Sequence, residues 1–548
     1  MRMSLSQHIF HFTILGALWG ALVLSKSLEV TEKNEDKKEA KFSFMNYKLV
    51  DVIPKDQNQL KDLRTLESIN VVGVDFWAEP AQVDQTISLS VEPEVYKTLE
   101  NFLDQRNIQH NTKVTNLQEL IDDEMKSILK EDLDDFGYRD PSLSYYDAKS
   151  YNCLNQITTH LREIQKQDDS QSMSISSIGT TFEGRPIEMV TLSRSEDSAK
   201  TDKPIIWMDC GIHSREWVSP SFCIFTIKEL LAEGEAGLLR KFDFFIVPVA
   251  NPDGYVYSWD VNRMWRKNRR TPAAMMLRSG DDQVSVEIQK IISSWAIVEH
   301  DLNKDSGIEG FYQNNESEIK FAQDSISLNQ FQPGSIFPGF PQALQANQSA
   351  GFPSWNGSRN SWLPSGQSNP KCSGVDPNRN FDIAWAQIGS SNSICHDTFH
   401  GPKAFSEAET VAIRDIILNT QTNGREFASF ITIHAYFQFW LSPYGFKKIR
   451  SSDYLDQSRV MKKAVEALRQ VYGTSFQHGP INEVIYQASG SSVDWAYEKA
   501  GIKYSYALEL RDQGKYGFLL PVDQIEPTNT ETYAGLKAMG WEIAKEYS

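Results

Sequence analysis

At 548 residues, with 40% apolar and 11% aromatic side chains, the chain can build about two or three packed domains, which excludes a disordered protein. Its formal net charge of −17 argues against a nucleic-acid binder, because a phosphate backbone is met by a lysine- and arginine-rich surface. Met1 and Arg2 precede an apolar run, 9–24, that is too short for a comfortable membrane span and is followed by Ser25 and Ser27. Residues 1–26 therefore read as a secretory signal, with a retained signal anchor as the alternative. No later stretch is apolar enough to span a bilayer, so the expectation is a secreted, extracellular protein with no membrane contact once the signal is removed.

A charged linker, 27–41, leads into a segment with its own organisation over 42–124. There "YKLVDVIP" alternates apolar and polar residues, "LKDLRTLE" repeats apolar residues at helical spacing, "INVVGVDFWAEP" is strand-like and "VYKTLENFLDQRNI" is helical. This βαβ-type alternation predicts a small α/β sandwich. The following stretch, 125–144, is polar and acidic, with Lys126, Lys130 and Arg139 among the charges. It suits either a linker helix or the target of a trypsin-like protease.

From 145 to 548 the alternation runs on a larger scale. "KPIIWMDCGIH", "KFDFFIVPVA", "FASFITIHAYF" and "IKYSYALELRD" read as buried strands, and "SPSFCIFTIKELLAEG", "YLDQSRVMKKAVEALRQVYG" and "SSVDWAYEKAG" as helices. The pattern predicts an α/β fold, a mixed and largely parallel sheet with helices on both faces. Ligand crevices in such sheets lie beyond the carboxyl ends of the strands, where His213, Asn251, His434 and Glu509 all fall. Residues 271–370 interrupt this order with Ser, Asn, Gln and Pro, and they carry sequons at Asn315, Asn347 and Asn356. They read as an inserted, glycosylated surface segment or as a gene-model artefact.

Five cysteines fit an oxidising compartment. Their positions suggest two short-range bridges, Cys210 with Cys223 and Cys372 with Cys395, leaving Cys153 as a thiol at a helix start or in a core. The stretch "DCGIHSREW" gives His213 and Glu216 the spacing to turn an imidazole and a carboxylate onto one cation such as Zn²⁺. A third ligand must come from elsewhere. His434, at a strand end, ranks narrowly first, ahead of His396 and His400 in a loop, His300 in the low-complexity segment, and His110 and His160 among polar helices.

The stretches "DCGIHSREWVSPSFC", "VPVANPDGY", "NRMWRKNR", "CSGVDPNRNFD", "FHGPKAFSEAE", "HAYFQFWLSPYG", "IYQASGSSVDWAY" and "YSYALELRDQGKYGFLLP" together resemble the zinc metallocarboxypeptidases of the funnelin group. The match is to the digestive A and B branch, and "YKLVDVIP", "LKDLRTLE" and "VDFWAEP" resemble its activation domain. The resemblance implies one Zn²⁺ per chain, held by His213, Glu216 and His434 with the fourth position open, and oriented through Asp376 on the far nitrogen of His213. It implies Glu509 as general base and acid and Arg266 as oxyanion stabiliser. Arg379, Asn378 and Tyr486 would clamp a free α-carboxylate, and Arg215 and Tyr436 would line the substrate path.

Pocket chemistry follows from the same matching. Val493 stands where the family sets side-chain preference, and an apolar floor cannot repay the desolvation of Lys or Arg, so apolar or aromatic C-terminal residues are expected. Ala507, often larger or hydroxylated in the family, would widen that pocket. The interval between Arg266 and Cys372 is longer than in relatives and should emerge near the funnel rim. Non-proline cis peptides are expected at Ala435–Tyr436, Pro443–Tyr444 and Arg511–Asp512. The expected protein is thus a monomeric secreted zymogen, latent until a trypsin-like protease removes its front domain, acting on peptide and protein C-termini. A catalytically silent, secreted peptide-binding homologue is the competing reading, and the presence of both Glu509 and Arg266 weighs against it.

Overall fold

The computed structural model describes residues 40–129, 145–168, 170–194, 203–234, 237–272 and 372–547. The signal, nearly all of the linker, the connecting segment beyond Leu129, His300, the three sequons and all of the 271–370 insertion after Pro272 lie outside the described residues.

The front region contains β1 (Lys48–Ile53), α1 (Gln57–Ser68), β2 (Val74–Phe76), β3 (Ile87–Val91), α2 (Pro93–Gln105), β4 (Gln109–Val114) and α3 (Leu117–Leu129). The strands form one sheet in the order β2-β3-β1-β4. Every pairing is antiparallel, which corrects the βαβ-type reading: helix and strand alternate, but no neighbouring strands run parallel. Val50, Val52, Ile87, Leu89 and Val91 pack on Leu63, Leu66, Leu99 and Leu103 of the first two helices. Asp56 starts α1 by accepting the backbone N–H groups of Asn58 and Gln59. β4 was not foreseen, because its sequence "QHNTKV" has no apolar alternation; at a sheet edge it needs little. His110 therefore lies on a strand, not among helices.

The larger region adds α4 (Leu154–Gln167), β5 (Met173–Thr180), β6 (Pro186–Leu192), β7 (Ile205–Cys210), α5 (Val218–Ala232), β8 (Asp243–Val247), α6 (Pro252–Asp260), α7 (Ala408–Thr422), β9 (Phe427–His434), β10 (Phe439–Ser442), α8 (Tyr454–Tyr472), β11 (Gln477–Pro480), α9 (Ser492–Glu498), β12 (Tyr504–Glu509) and α10 (Ile525–Ile543). Its eight strands are ordered β11-β10-β12-β9-β7-β8-β6-β5. The centre, β12-β9-β7-β8, is parallel. Antiparallel pairs join β10 to β12, and β6 to β8 and β5.

Alternating residues serve two cores, which is why the central strands read as unbroken apolar runs. Ile206, Met208, Ile431 and Ile433 face α5, α8 and α10 through Phe222, Met461 and Leu536. Ile205, Trp207, Phe245 and Phe430 face α7 and α9 through Ile413 and Trp495. Among the described residues no helix is long and apolar enough to cross a membrane.

Candidate active site

The parallel strands end on one rim. β7 stops at Cys210, and the next residue, Gly211, has φ +64°, a backbone turn that a side chain would strain. The loop carrying His213 and Glu216 then enters α5, tied down by the Cys210–Cys223 disulfide and by the Gly211 N–H donated to Ser219 Oγ at 3.0 Å. Asn251 braces the same loop from beyond β8. Its Oδ1 caps α6 at Gly254, and its amide donates to the carbonyls of Ile212 (3.2 Å) and Lys267 (3.1 Å). Cys372 and Cys395 are likewise disulfide-bonded, and Cys153 is a thiol at the start of α4.

His434 closes β9, and the three sidechains converge. Ligand atoms of His213, Glu216 and His434 lie within 4.8 Å of one another, all buried. Glu216 Oε1 is 2.8 Å from His213 Nδ1, its Oε2 is 3.2 Å from His434 Nδ1, and the two Nδ1 atoms are 3.1 Å apart. His213 Nε2 donates to Asp376 Oδ1 at 3.0 Å, which leaves its Nδ1 a bare lone pair aimed at the other two groups. Two imidazole nitrogens and a carboxylate oxygen facing one another in a buried site fit a cation of zinc's softness and coordination. Burial opposes the charge on Glu216, yet the two imidazoles hold its carboxyl far below the usual range. The other candidate histidines are elsewhere: His400 meets Gly401 O and Asn392, His160 stacks on Tyr146, and His396 pairs with Glu67.

Around this group stand the remaining residues. Glu509 ends β12, opposite His434 in register, and burial pushes its carboxyl up to about 8. Arg266 donates to Asp376 Oδ2 from Nη2 (2.9 Å) and Nε (3.2 Å). Asp376, fully buried, is nonetheless held well below the carboxylate range by Arg266 and His213. Arg379 donates from Nε to Gly389 O (2.7 Å) and from Nη2 to Tyr486 Oη (3.3 Å). Gly490 is needed beside it, since a Cβ there would lie 2.2 Å from the Arg379 carbonyl oxygen. Asn378 Oδ1 accepts the Ser492 N–H at 2.9 Å. Val493 and Ala507 share an apolar cluster with Leu441 and Ile481. The adjacent acid, Asp494, is turned to the backbone N–H groups of Gly445 and Phe446 at 2.9 to 3.0 Å. The three expected cis peptides are present.

The front region occupies this site through residues that the sequence reading did not single out. Glu79 accepts from Arg379 Nη2 at 3.2 Å, and Asp75 from Arg215 Nη1 at 3.4 Å, beside Asp397 at 3.2 Å. Glu124 on α3 takes Arg263 bidentately at 2.6 and 3.0 Å. Glu67 on α1 lies 3.1 Å from His396 Nε2. Trp77 packs on Phe518, which also touches Tyr436. The acidic residues of "VDFWAEP" were visible, but nothing in the sequence told which cations they meet.

Residues 157–325 and 352–535 match the zinc carboxypeptidase family. The chain belongs to that family. Residues 50–124 match the carboxypeptidase activation peptide, so this metallocarboxypeptidase is a zymogen activated by proteolysis. It is 31% identical to carboxypeptidase A2 of Mus musculus over 91% of this chain and 94% of that one. It is 30% identical to carboxypeptidase B of Homo sapiens over 90% and 92%. The crystal structure of carboxypeptidase A from Helicoverpa armigera superposes with a TM-score of 0.66 at 24% identity, covering 92% of this chain and 98% of that chain. The A and B relatives are nearly equidistant, so similarity alone does not separate the two specificities.

Proposed function

We propose that this zinc carboxypeptidase is a secreted, monomeric zymogen that, once a trypsin-like protease has cut it, removes apolar and aromatic residues from peptide C-termini. The observation that carries the reading is Arg379 gripping the carboxylate of Glu79 beside the His213, Glu216 and His434 group, as it would grip a peptide's terminal carboxylate. When bound by those three residues, zinc supplies Lewis acidity for carbonyl polarisation and water activation.

Glu509 takes a proton from the attacking water and later gives it to the leaving nitrogen, so protons balance over the cycle. Burial favours its protonated form, which suits the proton-giving step. Arg266 offers guanidinium N–H groups to the negative charge developing on the scissile oxygen. Arg379, Asn378 and Tyr486 orient the terminal carboxylate, and Arg215 and Tyr436 border the upstream residues. The apolar surroundings of Val493 and Ala507, with Asp494 engaged by backbone, favour Phe, Tyr, Trp, Leu or Ile over Lys and Arg. Secretion rests on the signal-like run at 9–24 and on the disulfides.

A C-terminal release assay on a peptide library, with and without trypsin and a chelator, tests metal, latency and preference together. Trypsin-dependent, chelator-sensitive release of Phe and Leu is expected. Cut, zinc-loaded protein that releases only Lys and Arg, or nothing, would overturn the proposal.

A further inference from the structure

His213 is oriented by a carboxylate on its far nitrogen, but His434 has none there. Among the described residues the polar groups within reach of His434 Nε2 are Thr432 Oγ1 at 3.3 Å and Asn378 Nδ2 at 3.4 Å. Asn378 has its carbonyl oxygen fixed by the Ser492 N–H, so it presents only donor hydrogens and cannot accept from the imidazole. Thr432 can accept, provided its own proton is directed elsewhere. It is: Thr432 Oγ1 donates to Asp209 Oδ1 at 2.7 Å, and the other oxygen of Asp209 takes the Trp207 indole N–H at 2.8 Å.

The sheet builds this chain of contacts. Asp209 and Thr432 are register partners on β7 and β9, one step beyond the Trp207–Phe430 pair, whose rings stack with centroids 6.2 Å apart. Two-residue periodicity puts Phe430, Thr432 and His434 on one face of β9, and Trp207 with Asp209 on the matching face of β7. Asp209 and Thr432 are wholly buried, so water does not compete for these groups.

We propose that Asp209 and Thr432 form a relay that fixes His434 as its Nε2–H tautomer, leaving Nδ1 bare for the metal. The carboxylate orients the hydroxyl, the hydroxyl accepts from the imidazole, and Nδ1 is left facing Glu216 and His213. Thr432 is a positioning residue that touches neither substrate nor the reacting atoms. The inference rests on His434 being a zinc ligand.

The test uses the intact zymogen as wild type, Thr432→Val and Thr432→Ser. Valine keeps the shape and removes the acceptor, and serine restores it. Zinc affinity is read by chelator competition, and the His434 tautomer by long-range ¹H–¹⁵N correlation of histidine-labelled, metal-free wild type. The expected results are an Nε2–H signal for His434, a loss of affinity of about 10- to 100-fold in Thr432→Val, and recovery in Thr432→Ser. Thr432→Val within about two-fold of wild type, or metal-free His434 protonated at Nδ1, would overturn the relay and leave the ligand assignment standing. Wild type that binds no zinc would overturn both. The wild-type tautomer needs no variant, so poor folding of Thr432→Val leaves a decisive measurement.

Discussion

Replacing Glu124 with alanine attacks the most deeply buried ion pair between the front and catalytic regions among the described residues. Its carboxylate meets Arg263 at 2.6 and 3.0 Å, and both side chains are 4% exposed. Removing one partner of a buried, hydrogen-bonded pair costs about 3 to 5 kcal/mol, because the survivor keeps its charge without compensation. Arg263 retains the carbonyls of Arg215 (2.9 Å) and Phe518 (2.7 Å) and lies 3.7 Å above the Trp217 ring, which favours the lower end. A docking loss of about 3 kcal/mol corresponds to roughly 150-fold. The assay is the delay between complete trypsin cleavage, followed on a gel, and the appearance of carboxypeptidase activity. Glu124→Ala should shorten that delay by about two orders of magnitude if the loss falls on release, with Glu124→Gln intermediate. An unchanged delay in a variant that cleaves and folds normally would refute the view that this pair holds the front region in place.

Val493→Asp should move preference towards Lys and Arg by at least about ten-fold in relative kcat/KM, since a carboxylate in that cluster penalises apolar side chains and pairs with cations; an unchanged ratio would misplace the pocket. Glu509→Gln should lower kcat by about 10²- to 10⁴-fold while zinc affinity by chelator competition stays near wild type. Docking should loosen as pH rises. Burial lifts Glu79 to about 7, Arg379 only partly opposing it, and Glu67 holds His396 above the usual histidine value against its burial. Both groups bind protons more tightly when docked, so the Glu79 contribution is full below about 4.5 and gone once pH has climbed through about 7, while that of His396 fades from about 6.5 upward. Hydrogen exchange across Val74–Phe76, corrected for intrinsic rate, should show protection falling over that window; rising protection would reverse the argument.

The centre of the larger sheet was legible because strands covered on both faces, such as "FFIV" and "SFITIH", are continuous apolar runs. The metal group was half legible from spacing: His213 and Glu216 are local, whereas His434 ranked only narrowly first as a histidine at a strand end and was named by the family resemblance. β4 was hidden because an edge strand can be polar. Glu79 with Arg379 and Glu124 with Arg263 were hidden because a charge pair made across 300 or 139 residues leaves no periodic trace in the sequence. Thr432 with Asp209 depends on strand register, which only the folded sheet reveals.

Arg379 and Arg215 each face two ways. They are held by Glu79 and Asp75 of the front region, and they are the cations proposed to read a peptide's end. Latency and recognition therefore share one vocabulary. A substitution that blunted either cation would weaken the hold on substrate and also free the enzyme early, so selection on cleavage and selection on restraint press on the same two side chains. Neither trait can drift far without the other.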